Sequence, residues 1–344
     1  MKNKKPSILE VAKLAGVSPA TVSRILNNNP RVDPELKKRV LEASQKLGYR
    51  LNYYAKALIQ GKTNFIGLLL TKFAIRHYSS ILYGIESVLN KAGYKFFVTS
   101  SRYDREKEKE KIQLFLDLNF AGIIIIPVGL SDAEIVEFSK KGTPIVVYDR
   151  LVRGLEENCI YFDNFGIEEK ITNYLIECGH RKIALIAGSD SLPVYRERKN
   201  GYISALKKHG ISVDESLIYT CDMSGFSTKE GYNSALELLK RGHFTALVCQ
   251  NDQTAIGAIS AIHSMGLKVP EDISVVGFGN VPEAPYTLPP LTTISFDRKK
   301  IGNLIGQKII SVIENKPLEL EIPEFNIIYR SSVKILNKKL GVIL

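Results

Sequence analysis

Residues 7–27 read SILEVAKLAGVSPATVSRILN, and this stretch decides the fold of the N-terminal part of the chain. Ser7 and Glu10 have the spacing of a capping box, which predicts a helix that begins at Ile8. Gly16 follows the last apolar residue of that helix, and glycine suits the left-handed conformation in which helices often end. The stretch therefore predicts a short helix, a glycine turn and the start of a second helix.

The second helix is predicted to begin at Pro19. Ser18 can cap it, and proline suits its first position because no backbone donor is needed there. Val22, Ile25 and Leu26 fall on one face, which would pack inward. The outward face is predicted to consist of Pro19, Ala20, Thr21, Ser23, Arg24 and Asn27. Two short helices joined by such a turn form a helix–turn–helix.

An outward face of small polar residues suits the DNA major groove, which is about 12 Å wide and admits one helix. Small residues at the helix start let the backbone approach the base edges. Arg24 could then form a bidentate pair with guanine, worth about 1–3 kcal/mol of discrimination between bases. The spacing alone also permits an ordinary helical hairpin in which Arg24 is only a solvated charge.

A third helix is predicted from Pro34 to about Leu47, because Asp33 can cap it and Gly48 follows its end. The residues expected on its core face are Leu36, Val40, Leu41 and Leu47. Residues 1–50 would therefore form a small all-α domain.

Positive charge is concentrated in this first part of the chain. The 344 residues contain 47 Lys and Arg against 36 Asp and Glu, a net charge of +11. Residues 1–62 hold thirteen basic and four acidic side chains, so most of the excess lies there. This concentration indicates a polyanionic partner. Nucleic acid is favoured over an anionic membrane, because the helices lack a wide face of large apolar groups.

The string VAKLAGVSPATVSRILN, residues 11–27, resembles the recognition motif of the LacI/GalR family of bacterial transcription regulators, and the likeness continues to the C terminus. The resemblance implies a homodimer that binds double-stranded, pseudopalindromic operator DNA, because two-fold protein symmetry matches two half-sites. The residues that it assigns to DNA binding in the first domain are Ser7, Ser18, Pro19, Ala20, Thr21, Ser23, Arg24, Asn27 and Arg31.

Residues 51–62 form the next unit, and their composition permits either a linker or a short helix. The resemblance implies a hinge helix that becomes ordered on operator DNA and pairs with its dimer mate. Ala55 and Leu58 match the hinge positions that contact DNA, with Leu58 as the wedge that opens a base step in the minor groove. Leu51 stands where the family usually has proline. The alternative is that Leu58 packs within one subunit.

Residues 63–344 are expected to form an α/β domain for effector binding and dimerisation. Buried apolar segments alternate with amphipathic ones, which predicts parallel sheets covered by helices. Two rounds of this pattern predict two doubly wound subdomains with a ligand cleft, similar to periplasmic sugar-binding proteins. The N-terminal subdomain would comprise about 63–161 and 293–323, and the C-terminal one about 162–292 and 324–344.

The individual elements follow from the same pattern. The predicted strands are Phe65–Leu70, Lys95–Thr99, Gly122–Pro127, Pro144–Tyr148, Ile160–Phe162, Lys182–Ala187, Ala246–Cys249, Ser274–Phe278, Thr292–Phe296 and Glu324–Tyr329. The predicted helices are Ser79–Ala92, Arg105–Leu118, Asp132–Lys141, Glu168–Gly179, Arg196–His209, Lys229–Arg241 and Thr254–Met265.

Ligands of open parallel sheets bind beyond the carboxyl ends of the strands. The polar residues predicted at those ends are Thr71, Ser100, Asp149, Arg198, Asn251 and Asp252. The family resemblance implies that Asp149, Arg198 and Asn251 contact the effector and that Phe226 stacks on its apolar face. The residues that it places on the N-terminal side of the cleft are Ile75, His77, Tyr78 and Ile81.

Three of these assignments have structural alternatives. Asp149 could pair with Arg150, and Asn251 could cap the helix that follows it together with Asp252. Phe226 could belong to the core.

The sequence departs from the family at Gly279. The family commonly reads GFDD or GYDD here, and the first acid binds sugar hydroxyls, whereas this chain has glycine at that position. His77 and Tyr78 also replace part of the usual Asn-Pro-Phe segment. These differences leave open a smaller sugar, a phosphorylated or acidic sugar, or a different binding mode, and Gly279 is included among the predicted site residues.

The sequence thus predicts a DNA-binding transcription regulator, a repressor of carbohydrate-utilisation genes with a sugar-like effector. A corepressor-dependent regulator that uses a purine or a phosphoprotein is the alternative. An enzyme or a solute-binding protein is disfavoured, because no dinucleotide-binding, nucleophile-elbow or metal-binding motif occurs. No catalytic residue, metal or cofactor is expected. Four dispersed cysteines and the lack of an apolar signal segment predict a cytoplasmic protein without a membrane partner.

Overall fold

The computed structural model describes residues 6–26, 32–49, 63–72, 78–222, 227–319 and 321–337. The chain divides into two compact units, Met1–Thr63 and Asn64–Leu344.

The described residues of the first unit form three helices: α1 (Ile8–Ala15), α2 (Pro19–Leu26) and α3 (Pro34–Leu47). Their core residues are Val11, Ala12, Ala15, Val22, Ile25, Val40 and Ala43. Arg39 Nη2 donates a hydrogen bond of 2.5 Å to the carbonyl oxygen of Ala15 and so joins α3 to the end of α1. The predicted starts of all three helices are confirmed.

One predicted core residue of α3 is wrong. Leu41 is 47% exposed, whereas Ala43 and Ser44 are buried. Each residue turns a helix by about 100°, so position 41 lies away from the stripe that begins at Leu36 and Val40.

The part of the second unit that the structure describes contains two sheets. The first is wholly parallel, with strand order β2-β1-β3-β4-β5. Its strands are β1 (Phe65–Leu70), β2 (Lys95–Ser100), β3 (Gly122–Ile125), β4 (Ile145–Tyr148) and β5 (Cys159–Ile160). The helices between them are α4 (Tyr78–Lys91), α5 (Arg105–Asp117) and α6 (Asp132–Ser139).

The second sheet has the order β11-β10-β9-β8-β6-β7, and only β11 within it runs antiparallel to its neighbour. Its strands are β6 (Ile183–Ala187), β7 (Ile218–Thr220), β8 (Ala246–Cys249), β9 (Ser274–Phe278), β10 (Thr292–Ser295) and β11 (Asn326–Ile328). Its helices are α7 (Asn164–Glu177), α8 (Pro193–Lys208), α9 (Thr228–Arg241) and α10 (Asp252–Ser264). Short 3-10 turns lie at Glu156–Asn158, Glu215–Leu217 and Ala284–Tyr286.

Below, the first sheet with its helices is called the first lobe, and the second sheet with its helices the second lobe. A further helix, α11 (Arg298–Glu314), was not predicted and packs on the first lobe. Its Gly302 meets α4 so closely that a Cβ atom there would lie 2.1 Å from the carbonyl oxygen of Ile81. Gly84 of α4 is equally restricted, since a Cβ atom would lie 2.5 Å from the carbonyl oxygen of Lys299. Glycine at both positions therefore lets the two helix backbones touch.

The structure moves one subdomain boundary. The sequence pattern assigned 293–323 to the first subdomain, but Thr292 pairs with Val276, which places β10 in the second sheet. The chain therefore crosses back after Ser295, because the ladder with β9 holds this strand in place. The short strand β7 was also missed, since three residues are too few to show a periodic pattern.

Within the described residues, no helix is both long and apolar enough to cross a membrane. The four cysteines, Cys159, Cys178, Cys221 and Cys249, are buried free thiols.

Candidate functional sites

The outward face of α2 is the first candidate site. Pro19, Ala20 and Arg24 are exposed, while Val22 and Ile25 on the opposite face are buried. Thr21 and Ser23 are partly exposed between these two faces. The helix thus presents small residues at its start and one cation a turn later, the arrangement that the sequence predicted.

Capping side chains fix the ends of these helices. Ser18 Oγ accepts a hydrogen bond of 3.1 Å from the backbone N–H of Thr21. At the start of α1, the backbone N–H of Ser7 donates to Glu10 Oε2 at 2.6 Å, and Ser7 Oγ accepts from the Glu10 N–H at 3.4 Å. The predicted DNA-binding residues Asn27, Arg31, Ala55 and Leu58 lie outside the described residues.

A cleft of about 410 Å³ is the second candidate site. It lies at the carboxyl ends of the strands of both sheets, where open parallel sheets bind ligands. The predicted residues that line it are Thr71, Tyr78, Asp149, Arg198, Asn251, Asp252 and Gly279. Ile75, His77 and Phe226 lie outside the described residues.

Two predicted cleft residues do not line it. Ile81 is 2% exposed and packs in the core beneath the first sheet, because its side of α4 faces the strands. Ser100 ends β2, which is the edge strand of the first sheet, and so lies away from the cleft.

Arg198 of α8 is held from three sides. Its Nε donates to Asn164 Oδ1 at 2.9 Å, and its Nη1 donates to the carbonyl oxygen of Gln250 at 3.2 Å. The guanidinium carbon lies 3.5 Å from the centre of the Phe278 ring, which is a cation–π contact. These contacts orient the cation at the cleft wall before any ligand binds.

Asp149 follows β4 in the left-handed region, with φ of 66°. Burial raises the pKa of its carboxyl to about 6, although nearby Arg198 favours the charged form. The alternative pairing with Arg150 does not occur, because Arg150 forms an ion pair with Asp132 and donates to the carbonyl oxygen of Leu130. The Asp149 carboxyl is therefore available to the cleft.

Asn251 has the capping role that the alternative assigned to it and to Asp252, whereas Asp252 has a different structural role. Asn251 Oδ1 accepts from the N–H of Thr254 at 2.9 Å and so caps α10, while the residue also lines the cleft. Asp252 is completely buried and accepts from the N–H of Val281 at 2.7 Å and from Thr293 Oγ1 at 2.5 Å. Its two oxygens thereby join the loop after β9 to β10.

Tyrosine side chains also line the cleft. Tyr78 and Thr71 are both buried, and their hydroxyl oxygens lie 3.5 Å apart. Tyr103 also lines the cleft, and burial raises the pKa of its phenol to about 12. Tyr103 was missed because it lies in a turn beyond β2 with φ of 61° and not at a strand end.

Aromatic rings form the floor of the cleft. Phe296 and Phe325 have ring centres 4.8 Å apart, and Phe325 contacts Phe162 at 5.0 Å. Phe278 joins this group at 6.2 Å from Phe296. These rings come from both lobes, so the sequence pattern could not show that they meet.

Arg298 is a charged cleft residue that sequence reasoning missed, as are Lys72, Arg150 and Lys229. It begins α11, directly after the Asp297 cap, and its guanidinium carbon lies 5.2 Å from the centre of the Phe296 ring. Its Nη1 donates to the carbonyl oxygen of Asn280 at 3.4 Å. The position of Arg298 soon after a buried strand was the available signal.

Comparisons with known proteins give matches in both units of the chain. A family profile of bacterial regulatory proteins, lacI family, matches residues 7–52, and one of periplasmic binding protein-like domains matches residues 172–333. The chain is 36% identical over 307 residues to the HTH-type transcriptional regulator AscG of Escherichia coli (strain K12). The aligned region covers 88% of this chain and 91% of AscG. It is 30% identical over 333 residues to the HTH-type transcriptional repressor PurR of Pasteurella multocida (strain Pm70). That alignment covers 95% of this chain and 98% of PurR.

A solved structure is similar over both units. The Lac repressor dimer bound to operator and the anti-inducer ONPF has a TM-score of 0.82 at 27% identity, and the match covers 96% of this chain and 100% of that one. A helix–turn–helix followed by a two-lobed ligand-binding domain defines a DNA-binding transcriptional regulator. The chain belongs to the lacI family of bacterial regulatory proteins.

Proposed function

We propose that this regulator is a homodimeric repressor of carbohydrate-utilisation genes whose affinity for operator DNA is controlled by a sugar-like effector in the cleft. The observation that carries the proposal is one cleft that combines oriented polar groups, Arg198 and Asp149, with a floor of aromatic rings. Sugar hydroxyls need planar donors and acceptors, while the apolar face of a sugar ring packs on an aromatic ring.

The DNA site of the proposal is the outward face of α2. Thr21, Ser23 and Arg24 would read base edges, and the exposed start of the helix would enter the major groove. Ser7 and Arg31 would contact phosphates, whose binding depends on salt. Residues 51–62, with Ala55 and Leu58, would form the hinge that joins residues 1–50 to the effector-binding domain, residues 63–344.

The effector site comprises the cleft residues Thr71, Tyr78, Asp149, Arg198, Asn251 and Gly279, together with Ile75, His77 and Phe226. Closure of the two lobes on a ligand would change the spacing of the hinges in the dimer and so of the two helix–turn–helix units. Operator binding and ligand binding would then be coupled reciprocally.

The test uses the full-length protein to find its own operator. Operator sites are selected from random DNA, and binding is measured by fluorescence anisotropy at fixed salt with and without candidate sugars. We expect a pseudopalindromic site and a sugar that changes its affinity. Selection of no preferred sequence would refute the proposal.

Two alternative functions, a purine-dependent regulator and an enzyme, can be distinguished by experiment. A purine corepressor is the alternative that the sequence leaves open, so purines belong in the same assay. A purine that strengthens operator binding would replace the sugar in the proposal. We also propose a cytoplasmic protein that binds its ligand without turnover, and recovery of a chemically changed ligand would indicate an enzyme instead.

A further inference from the structure

Cationic side chains outnumber acidic ones around the cleft. Among the described residues that line it, the cations are Lys72, Arg150, Arg198, Lys229 and Arg298, and the acids are Asp149 and Asp252. Arg150 is already paired with Asp132, and both oxygens of Asp252 accept hydrogen bonds. The cations that line the cleft therefore outnumber the acids even when Asp149 and Asp252 are both counted. Because both Asp252 oxygens are engaged, Asp149 is the acid that can accept hydrogen bonds from a ligand.

Arg298 is the least satisfied of these cations. Its Nε and Nη2 atoms are shielded from solvent, and no described residue provides a hydrogen-bond acceptor for either. A buried donor without an acceptor loses its hydration and gains nothing in return, and the loss is larger for a charged group. In agreement, burial lowers the pKa of the Arg298 guanidinium, while the nearby Asp252 carboxyl opposes this shift.

Gly279 keeps a carboxylate away from this guanidinium. A Cβ atom at position 279 would lie 2.9 Å from Arg298 Nη2, so a side chain there would meet the cation directly. The backbone φ of 125° also disfavours any residue other than glycine. The chain thus brings the Arg298 guanidinium to the cleft without an acidic side chain at position 279. The nearby acid is Asp252, whose Oδ2 would lie 3.8 Å from the same Cβ atom and whose charge favours the charged guanidinium.

We propose that the effector is an anionic sugar derivative, and that Arg298 binds its phosphate or carboxylate group in the space beside Gly279. This inference rests on the proposed function and specifies the ligand class of the same cleft. A guanidinium presents parallel N–H donors that match two oxygens of a carboxylate or phosphate. A neutral hydroxyl would satisfy only one of the two donors and leave the other without an acceptor.

The same cleft accounts for the sugar part of such a ligand. Arg298 stands beside Phe296, and Arg198 stands over Phe278, so each cation borders an aromatic ring on which a sugar face can pack. Asp149 can accept hydrogen bonds from hydroxyl groups. A polyol with one anionic end therefore uses both the rings and the cations.

The test is isothermal titration calorimetry on the full-length protein with matched pairs of ligands. The probes are pentose and hexose phosphates, aldonates and uronates, each beside its neutral sugar, and two purines, guanine and hypoxanthine. We expect one anionic sugar to bind at least about tenfold more tightly than its neutral partner, as for a charged hydrogen bond. The phosphate and carboxylate arms identify which anion the site takes.

Variants connect the preference to Arg298. Arg298→Gln should lower the affinity for the anionic sugar to within a few fold of its neutral partner, whereas Lys299→Gln removes a neighbouring exposed charge and should leave it unchanged. Arg298→Lys keeps the charge without the paired donors, so an intermediate affinity is expected. Circular dichroism and the thermal midpoint establish that each variant is folded.

Either of two results would overturn the inference. One is tight binding of a neutral sugar or a purine whose affinity Arg298→Gln does not change. The other is that no anionic sugar binds. Operator binding, measured on the same protein, separates the two proposals. Specific operator binding with a neutral effector refutes only the anionic ligand, while loss of any sequence preference on DNA refutes the regulator mechanism.

Discussion

Arg24 and Ile25 are adjacent in α2, yet Arg24 is exposed and Ile25 is only 2% exposed. The rotation of about 100° per residue separates the two, so one builds the core while the other faces outward. Because Arg24 is the only cation among the described residues of α2, its role can be tested by a single substitution.

Arg24→Ala should weaken binding to the selected operator at least about tenfold, since a bidentate contact with guanine contributes about 1–3 kcal/mol. Binding to random DNA should change much less. Fluorescence anisotropy on both DNAs at one salt concentration provides the measurement. Lys46→Ala, which removes an exposed charge from α3, is the control and should affect both DNAs alike. Equal losses on both DNAs for Arg24→Ala would contradict a role in base reading.

Glu168 is a buried residue whose carboxyl has a raised pKa. It is 2% exposed, its Oε1 has no hydrogen-bond donor among the described residues, and burial raises the pKa of its carboxyl to about 7. Arg198 opposes this shift by favouring the charged form. In the unfolded chain the same carboxyl would lose its proton near its ordinary pKa, about 4.3.

Between about pH 4.5 and 7 the folded protein therefore holds a proton at Glu168 that the unfolded chain releases, so this group reduces stability as the pH rises through that range. Glu168→Gln removes the effect and should stabilise the protein at pH 8 by up to about 3 kcal/mol relative to pH 4.5. Urea unfolding of both proteins at the two pH values gives the comparison. An identical pH dependence would show that Glu168 does not titrate in this way.

At the scale of elements, α4 and α11 illustrate a contact that only backbone proximity allows. Gly84 and Gly302 face each other across the two helices, and neither position has space for a methyl group. The pair fixes α11 on the first lobe, even though the strands on either side of α11 belong to the second sheet.

Gly302→Ala should force the two helices apart and lower the free energy of unfolding by about 1–3 kcal/mol, the usual cost of overpacking. Gly242→Ala is a matched control, because φ is 174° there and the nearest atom, on Leu217, would lie 3.6 Å away. The control should be nearly neutral. Equal thermal midpoints for Gly302→Ala and the wild-type protein would contradict the close helix contact.

At the scale of the whole molecule, the division into Met1–Thr63 and Asn64–Leu344 matches the proposed separation of DNA binding from ligand binding. The basic excess belongs to the first part of the chain, while the cleft lies wholly within the second. Each function should therefore be separable by deletion.

Deletion of residues 1–62 should abolish operator binding and leave effector binding unchanged. A ligand at about 100 times its Kd adds about 2.7 kcal/mol to the stability of the folded state, so the thermal midpoint should rise by a few degrees in both proteins. Thermal shift and fluorescence anisotropy report the two functions independently. Operator affinity that survives the deletion would refute this division of labour.

The sequence by itself determined the helix–turn–helix, because its caps, turn and apolar face all depend on residues within one or two helical turns. It also determined most strands of the two sheets, since each buried strand is a continuous apolar run. The resemblance to a family then indicated Asp149, Arg198 and Asn251, which do line the cleft.

Only the tertiary structure decided how distant segments meet. It placed β10 in the second sheet and α11 on the first lobe, and it brought Arg298 beside Gly279 and a floor of phenylalanine rings. These contacts join residues far apart in the chain, so no local pattern of polarity records them. Burial and hydrogen-bond satisfaction are properties of the packed chain. They distinguish Arg298, whose buried Nε and Nη2 have no acceptor among the described residues, from Arg198, whose Nε and Nη1 each have one.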